Sequence, residues 1–227
     1  MLITQQIKNR KKTNILGGLL LILFLGLSTI FGGFHFFPSV NAENNNALEE
    51  VTIANNIDVV SQLDENTWCQ LSTQKRLDTL QTVADIETYY LGLPHKLNVK
   101  LGHLSETTRA CYDDSTHVIT INIDHFDCDA ASEVLDSVCH EAFHAYQLRL
   151  CDACDSVDEE YKNLLIFRKV QYYKQEFSNY VNGKDDAYDF SCEIDARSYA
   201  RECVADYYKK INSYLGCEKP SDRGYSS

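Results

Sequence analysis

His140-Glu141-Ala142-Phe143-His144 places two imidazoles four residues apart, with a carboxylate beside the first. On a helix, residues four apart differ by about 40° around the axis, so both rings leave one face and reach a single metal ion. Neutral imidazole nitrogen suits Zn2+ at about 2.0–2.1 Å, and a hydrolytic zinc site needs a third protein ligand and a position for water. Glu141 then stands where it can take a proton from that water, whose pKa the metal lowers toward about 7. The competing reading is a surface helix whose two His are merely solvated or hydrogen-bonded. The context speaks against it: the motif lies in an amphipathic stretch, follows a β-branched strand and belongs to a chain with an export pattern.

The elements that must hold the motif are legible around it. Asp129 is the expected N-cap of a helix from Ala130 to about Leu150, with Val134, Leu135, Val138, Ala142 and Ala145 turned inward. Upstream, Leu77, Leu80, Val83, Ala84, Ile86 and Tyr90 give residues 72–91 a helical period, with Ser72 as N-cap and Gly92-Leu93-Pro94 as the stop. Leu97, Val99 and Leu101 alternate along a short strand at 96–101. A turn at 111–116 then leads into a β-branched strand at 117–123, which predicts a hairpin. Downstream, an acidic connector at 152–160 precedes a long helix that ends near Val181 at Asn182-Gly183, and a last helix runs from about Ser191 to Leu215 and ends at Gly216. The expected fold class is α+β: a mostly helical domain with a small antiparallel sheet beside the motif helix.

The chain has 227 residues, of which 44% are hydrophobic and 24% charged, enough for one domain with a sizeable core. Lys8, Arg10, Lys11 and Lys12 are the only charges in the first 42 residues, so the rest carries 17 basic and 33 acidic side chains. Nucleic acid is excluded as a partner, because phosphate binding needs clustered Lys and Arg. Lys8 to Lys12 precede an uncharged, largely apolar run over residues 15–37, and then Val40 and Ala42 at the spacing of a signal-peptidase cut before Glu43. Residues 1–42 are thus a signal peptide or a retained N-terminal membrane anchor, residues 43–55 a flexible stalk, and residues 56–227 the folded domain. The domain is expected outside the cytoplasm, secreted or anchored to the outer face of the membrane by residues 15–37. Contact with the membrane is through that segment alone, and oligomeric state is left open.

With these features the residues from about Lys96 to Leu215 resemble the zincin metallopeptidases. In that superfamily the motif helix packs beside a sheet whose edge strand pairs with extended substrate, and residues 113–123 look like that region; a peptide or protein is the substrate class implied. Gln147 and Leu150 stand where a metzincin has Gly and His, and the only Met is Met1, so that branch is excluded. Residues 192–200 are similar to the Glu-x-x-Ala pattern of the gluzincins. The resemblance implies a Zn2+ site of His140, His144 and Glu193, with Glu141 as general base and Ala196 small enough to let two helices approach. Asp189, Asp195 and Glu202 are rival third ligands. Several gluzincin families place an Asp where this chain has Arg197, so the groups that orient the ligands are expected elsewhere, Asp195 being one candidate for His140.

Other features compete for a role. All nine Cys lie in the exported part, where disulfides form, and an odd number leaves one thiol over. Cys151 and Cys154 have redox-motif spacing but lack the surroundings of a thioredoxin-like site, and read as a structural bridge or two buried thiols, with half of a structural zinc site and redox chemistry as the alternatives. Tyr188 and Tyr199 flank Glu193, but among 14 Tyr this is expected by accident. His95, His103, His117 and His125 lack ligand spacing. A non-catalytic surface or assembly domain with a structural or vestigial metal site is the alternative to hydrolysis.

Overall fold

Four long helices dominate the described residues because four stretches carry apolar residues at helical spacing. The computed structural model describes residues 51–181 and 189–216. The chain enters through α1 (Ile57–Val60), a 3-10 turn (Ser61–Leu63) and α2 (Glu65–Trp68), and continues into α3 (Thr73–Tyr90). The Ser72 side chain accepts a hydrogen bond from the Lys75 N–H, and Gly92 takes up φ +61° just past the end of α3, which a residue with a Cβ resists. Residues 51–55, expected in the stalk, pack onto the domain instead: Ile53 is 1% exposed, and its N–H meets the Tyr90 hydroxyl at 3.3 Å.

Strands β1 (Asn98–Gly102), β2 (Ala110–Asp113) and β3 (Val118–Asn122) form one sheet in the order β1-β3-β2. The hairpin is present: β2 and β3 are antiparallel, with Tyr112 opposite Ile119. The Asp113 carboxylate tightens its turn by accepting from the Ser115 N–H at 2.9 Å and from the Ser115 and Thr116 hydroxyls, and His117 completes it at φ +56°. The expectation of a purely antiparallel sheet is corrected, since β1 pairs with β3 in parallel, Asn98 opposite Val118. Residues 103–109 are long enough to carry the chain across the end of β3's position, and β3, with Ile119 and Ile121 fully buried, takes the centre. Gly102 lies so close to Thr120 that a Cβ there would meet its methyl at 2.7 Å. Of the region expected at the edge, β3 is therefore central and β2 forms the edge.

After α4 (Ile123–Cys128) comes the motif helix α5 (Ala131–Ser156), then α6 (Glu159–Lys162), α7 (Leu165–Val181) and α8 (Ser191–Tyr214). Asp129 does not cap α5. Its carboxylate pairs with His125 Nδ1 at 2.6 Å, and the N-cap position falls on Ala130, whose side chain has nothing to offer. The Glu65 carboxylate, brought from α2, instead accepts from the Ala131 and Ser132 N–H groups at 3.0 and 3.1 Å, a negative charge where the helix dipole is positive. The acidic connector is partly helical, because α5 continues to Ser156. The expected stop at Asn182-Gly183 lies outside the described residues, as do Tyr188, Cys217 and the N-terminal segment. α5 packs most extensively on α8 and also touches α3, α7, β2 and β3, so it is the central helix of the fold. Among the described residues no helix is long and apolar enough to cross a membrane.

Candidate metal centre

One face of α5 carries His140 and His144, and the first turn of α8 delivers Glu193 to the same point. His140 Nε2 and His144 Nε2 lie 2.9 Å apart; Glu193 Oε2 is 3.2 Å from the first and Oε1 3.3 Å from the second. Atoms that hold a tetrahedral ion at about 2.0–2.1 Å are themselves about 3.3 Å apart, so the three donors already stand near the edge length of such a site. Small residues allow the convergence. Ala142 and Ala145 on α5 and Ala196 and Ala200 on α8 are all buried, and backbones lined by Ala approach more closely than backbones lined by Leu.

The hydrogen bonds behind His144 determine which ring nitrogen is free. Gln147, fully buried, donates its amide N–H to the Cys192 carbonyl at 2.9 Å, which leaves its oxygen for His144 Nδ1 at 2.8 Å. That oxygen only accepts, so Nδ1 carries a proton and Nε2 is the nitrogen that faces Glu193, sharing a proton with that carboxylate or, once deprotonated, offering its lone pair to a cation. Two imidazole nitrogens and two carboxylate oxygens thus face one small space, an arrangement of acceptors that needs a cation or a shared proton between them. The donor set fits Zn2+. Burial pushes the Glu193 carboxyl up, yet the hydrogen bonds and charges of His140 and His144 outweigh it and hold the group well below the ordinary carboxylate range. Burial opposes protonation of His144, but Glu193 and Glu141 more than compensate and raise it.

Glu141 is 9% exposed and sits on the helix that packs against edge strand β2. Burial raises its carboxyl; the two imidazoles pull the other way and Glu193 adds to the rise, leaving it above the ordinary range. The ligand side chains keep 12–17% exposure, and among the described residues no fourth His, Cys, Asp or Glu joins the group.

Of the rivals for third ligand, Asp195 turns to α7, where Lys169 pairs with it at 2.7 Å and the Tyr173 hydroxyl donates to it. It therefore does not orient His140. Asp136, one turn earlier on α5, is a further carboxyl that interacts electrostatically with that ring, beside Glu141 and Glu193. Asp189 and Glu202 are exposed, away from the cluster. Arg197 approaches Glu193 at 3.9 Å from one turn along α8. Tyr199 stacks on Phe143 with centroids 4.6 Å apart and gives its hydroxyl to Glu87 at 2.5 Å, so it faces the core and not the site. Cys151 and Cys154 are buried with Phe167, Val170, Tyr173 and Cys192, and burial pushes the Cys151 thiol up to about 12. His125 is a buried structural residue between Asp129 and Ser137, and His95 stacks on His117.

Gln147 is the functional residue that the pattern of letters did not single out. The available signal was its position three residues after His144, on the same helix face. Comparison with family models, with curated proteins and with solved structures finds no match to this chain. Its functional reading therefore rests on the geometry above.

Proposed function

We propose that this protein is an extracytoplasmic zinc-dependent metallopeptidase of gluzincin-like type. The observation that carries the reading is the meeting of His140, His144 and Glu193 at near-tetrahedral spacing, with Glu141 next to the first imidazole on a helix that packs against an edge strand. Zn2+ bound there supplies Lewis acidity, which polarises a substrate carbonyl and lowers the pKa of water. Glu141 takes the proton from the attacking water and delivers it to the leaving amine; a carboxyl raised by burial suits both steps near neutral pH. Strand β2 offers an unpaired edge to an extended peptide, which favours peptide or protein as substrate. Gln147 keeps His144 in the tautomer that presents Nε2.

The alternative of a structural or vestigial metal site is less well supported, because structural zinc is closed by four protein ligands and this group has three with partial exposure. The test is Glu141→Gln beside His140→Ala, assayed on a peptide library with metal quantification. The first variant is expected to keep metal and lose hydrolysis by at least about 100-fold; the second is expected to lose metal. Undiminished turnover by Glu141→Gln would overturn the assignment of the base, and full metal content in His140→Ala would overturn the ligand set.

A further inference from the structure

Behind the motif helix, on the side away from the metal ligands, α3, α5 and α8 meet at a second cluster. Its members are Glu87, Cys139 and Cys203, whose carboxylate and sulfur atoms all lie within 4.8 Å of one another. Cys139 directly precedes His140, and Cys203 lies on α8, the helix of Glu193. The Glu87 carboxylate is fully occupied: Oε1 accepts from the Tyr207 hydroxyl at 3.0 Å, and Oε2 from Tyr199 at 2.5 Å and from the Cys203 thiol at 3.7 Å. A divalent cation held by one carboxylate and two thiolates would leave a net negative charge in a largely buried place, with no basic side chain in the cluster to offset it. Joining the two sulfurs leaves no charge at all.

We infer that Cys139 and Cys203 are a redox modification site, at which an external disulfide forms a bond that staples α5 to α8. Cys203 is the less buried of the two and is therefore the thiol assigned to meet a solvent-borne reagent first; Cys139 is fully buried. The Cys203 sulfur attacks a disulfide RSSR, its proton leaving with the first RSH, to give a mixed disulfide. Cys139 then attacks the Cys203 sulfur, its proton leaving with the second RSH. Two protein thiols are oxidised and one external disulfide is reduced to two thiols, so electrons and protons balance. The new bond spans 64 positions of sequence and joins the two helices that carry the metal ligands, so it restricts the unfolded chain strongly and keeps His140 and Glu193 in register. The inference needs only the two sulfurs and stands whether or not the protein is a hydrolase.

The test uses the full chain, held in detergent because of its apolar N-terminal segment. The protein is incubated with oxidised glutathione, alkylated, digested and mapped by mass spectrometry, with dithiothreitol-treated protein as control. A linked Cys139–Cys203 peptide pair is expected in the oxidised sample and absent from the reduced one. Oxidation is expected to raise the melting temperature by roughly 5–10 °C, an increase that Cys203→Ser abolishes. The wild-type map decides even where a variant fails to fold. Both thiols remaining open to alkylation after oxidation, a stable link from Cys203 to another cysteine or to glutathione, or a metal ion lost on Cys203→Ser would each overturn the inference. The link should also form in metal-free His140→Ala protein, which separates its failure from that of the zinc site.

Discussion

Gln147 shows how a neutral side chain can govern a charged centre. Its amide cannot be reversed without setting its oxygen against the Cys192 carbonyl, acceptor against acceptor, and its N–H against the His144 Nδ1–H, donor against donor. Gln147→Leu retains the volume of the side chain but removes this lock, and metal affinity in a competition titration with a chromogenic chelator is expected to fall about 10–100-fold. Gln147→Glu still accepts from Nδ1–H and should fall less; equal affinities for all three proteins would refute the orienting role. His140, Glu141 and His144 were legible as letters because a fixed spacing on a helix fixes their directions. Gln147 was not, because a buried Gln is informative only once its partner on α8 is known.

Helices α5 and α8 set the distance between the two imidazoles and the Glu193 carboxylate. Ala196 is fully buried one turn beyond Glu193 and faces that contact. Ala196→Leu inserts three carbons where no room exists, and should cost about 1–3 kcal/mol in denaturant unfolding. It should also weaken zinc binding more than any change of equal size outside the α5–α8 contact. If affinity is unchanged while stability falls, the small residue serves packing alone. The helix period made α3, α5 and α8 readable, and Ser72 and Gly92 punctuated α3 as expected. The start of α5 was misread for a physical reason: Asp129 has the right chemistry for a cap, but His125 claims it, and Glu65 arrives from 66 residues upstream to serve the exposed N–H groups. Local letters cannot rank two carboxylates that compete through space.

For the molecule as a whole, two groups of buried ionisable residues link stability to solution conditions. Ligand that binds only the folded state stabilises it by about 2.7 kcal/mol at 100 times its Kd. Zn2+ is accordingly expected to raise the melting temperature of the wild type by about 5–10 °C and to leave His140→Ala unmoved; an equal rise in both would place the metal elsewhere. Glu87 contributes in the opposite sense. Burial raises its carboxyl above the ordinary 4.5, despite hydrogen bonds from Tyr199, Tyr207 and Cys203, with Asp206 adding to the rise. The unfolded chain therefore releases this proton at lower pH than the folded one, and the folded state loses stability as pH climbs from about 4.5 through the folded value. Glu87→Gln should remove that slope, so that its stability relative to wild type improves from pH 4.5 upward in urea midpoints; a difference independent of pH would show that Glu87 does not titrate there.

The helical class of the fold, the motif face of α5 and the hairpin of β2 and β3 follow from short-range rules of period, cap and turn, which act between neighbours in the chain. The parallel partnership of β1 with β3, the cap from Glu65, the choice of Glu193 over Asp195 and the meeting of Glu87, Cys139 and Cys203 depend on which distant groups packing brings within about 3–5 Å. Several residues of suitable chemistry compete for each of those places, and the winner is settled by the close approach of Ala-lined helices, a geometry that no stretch of sequence contains on its own.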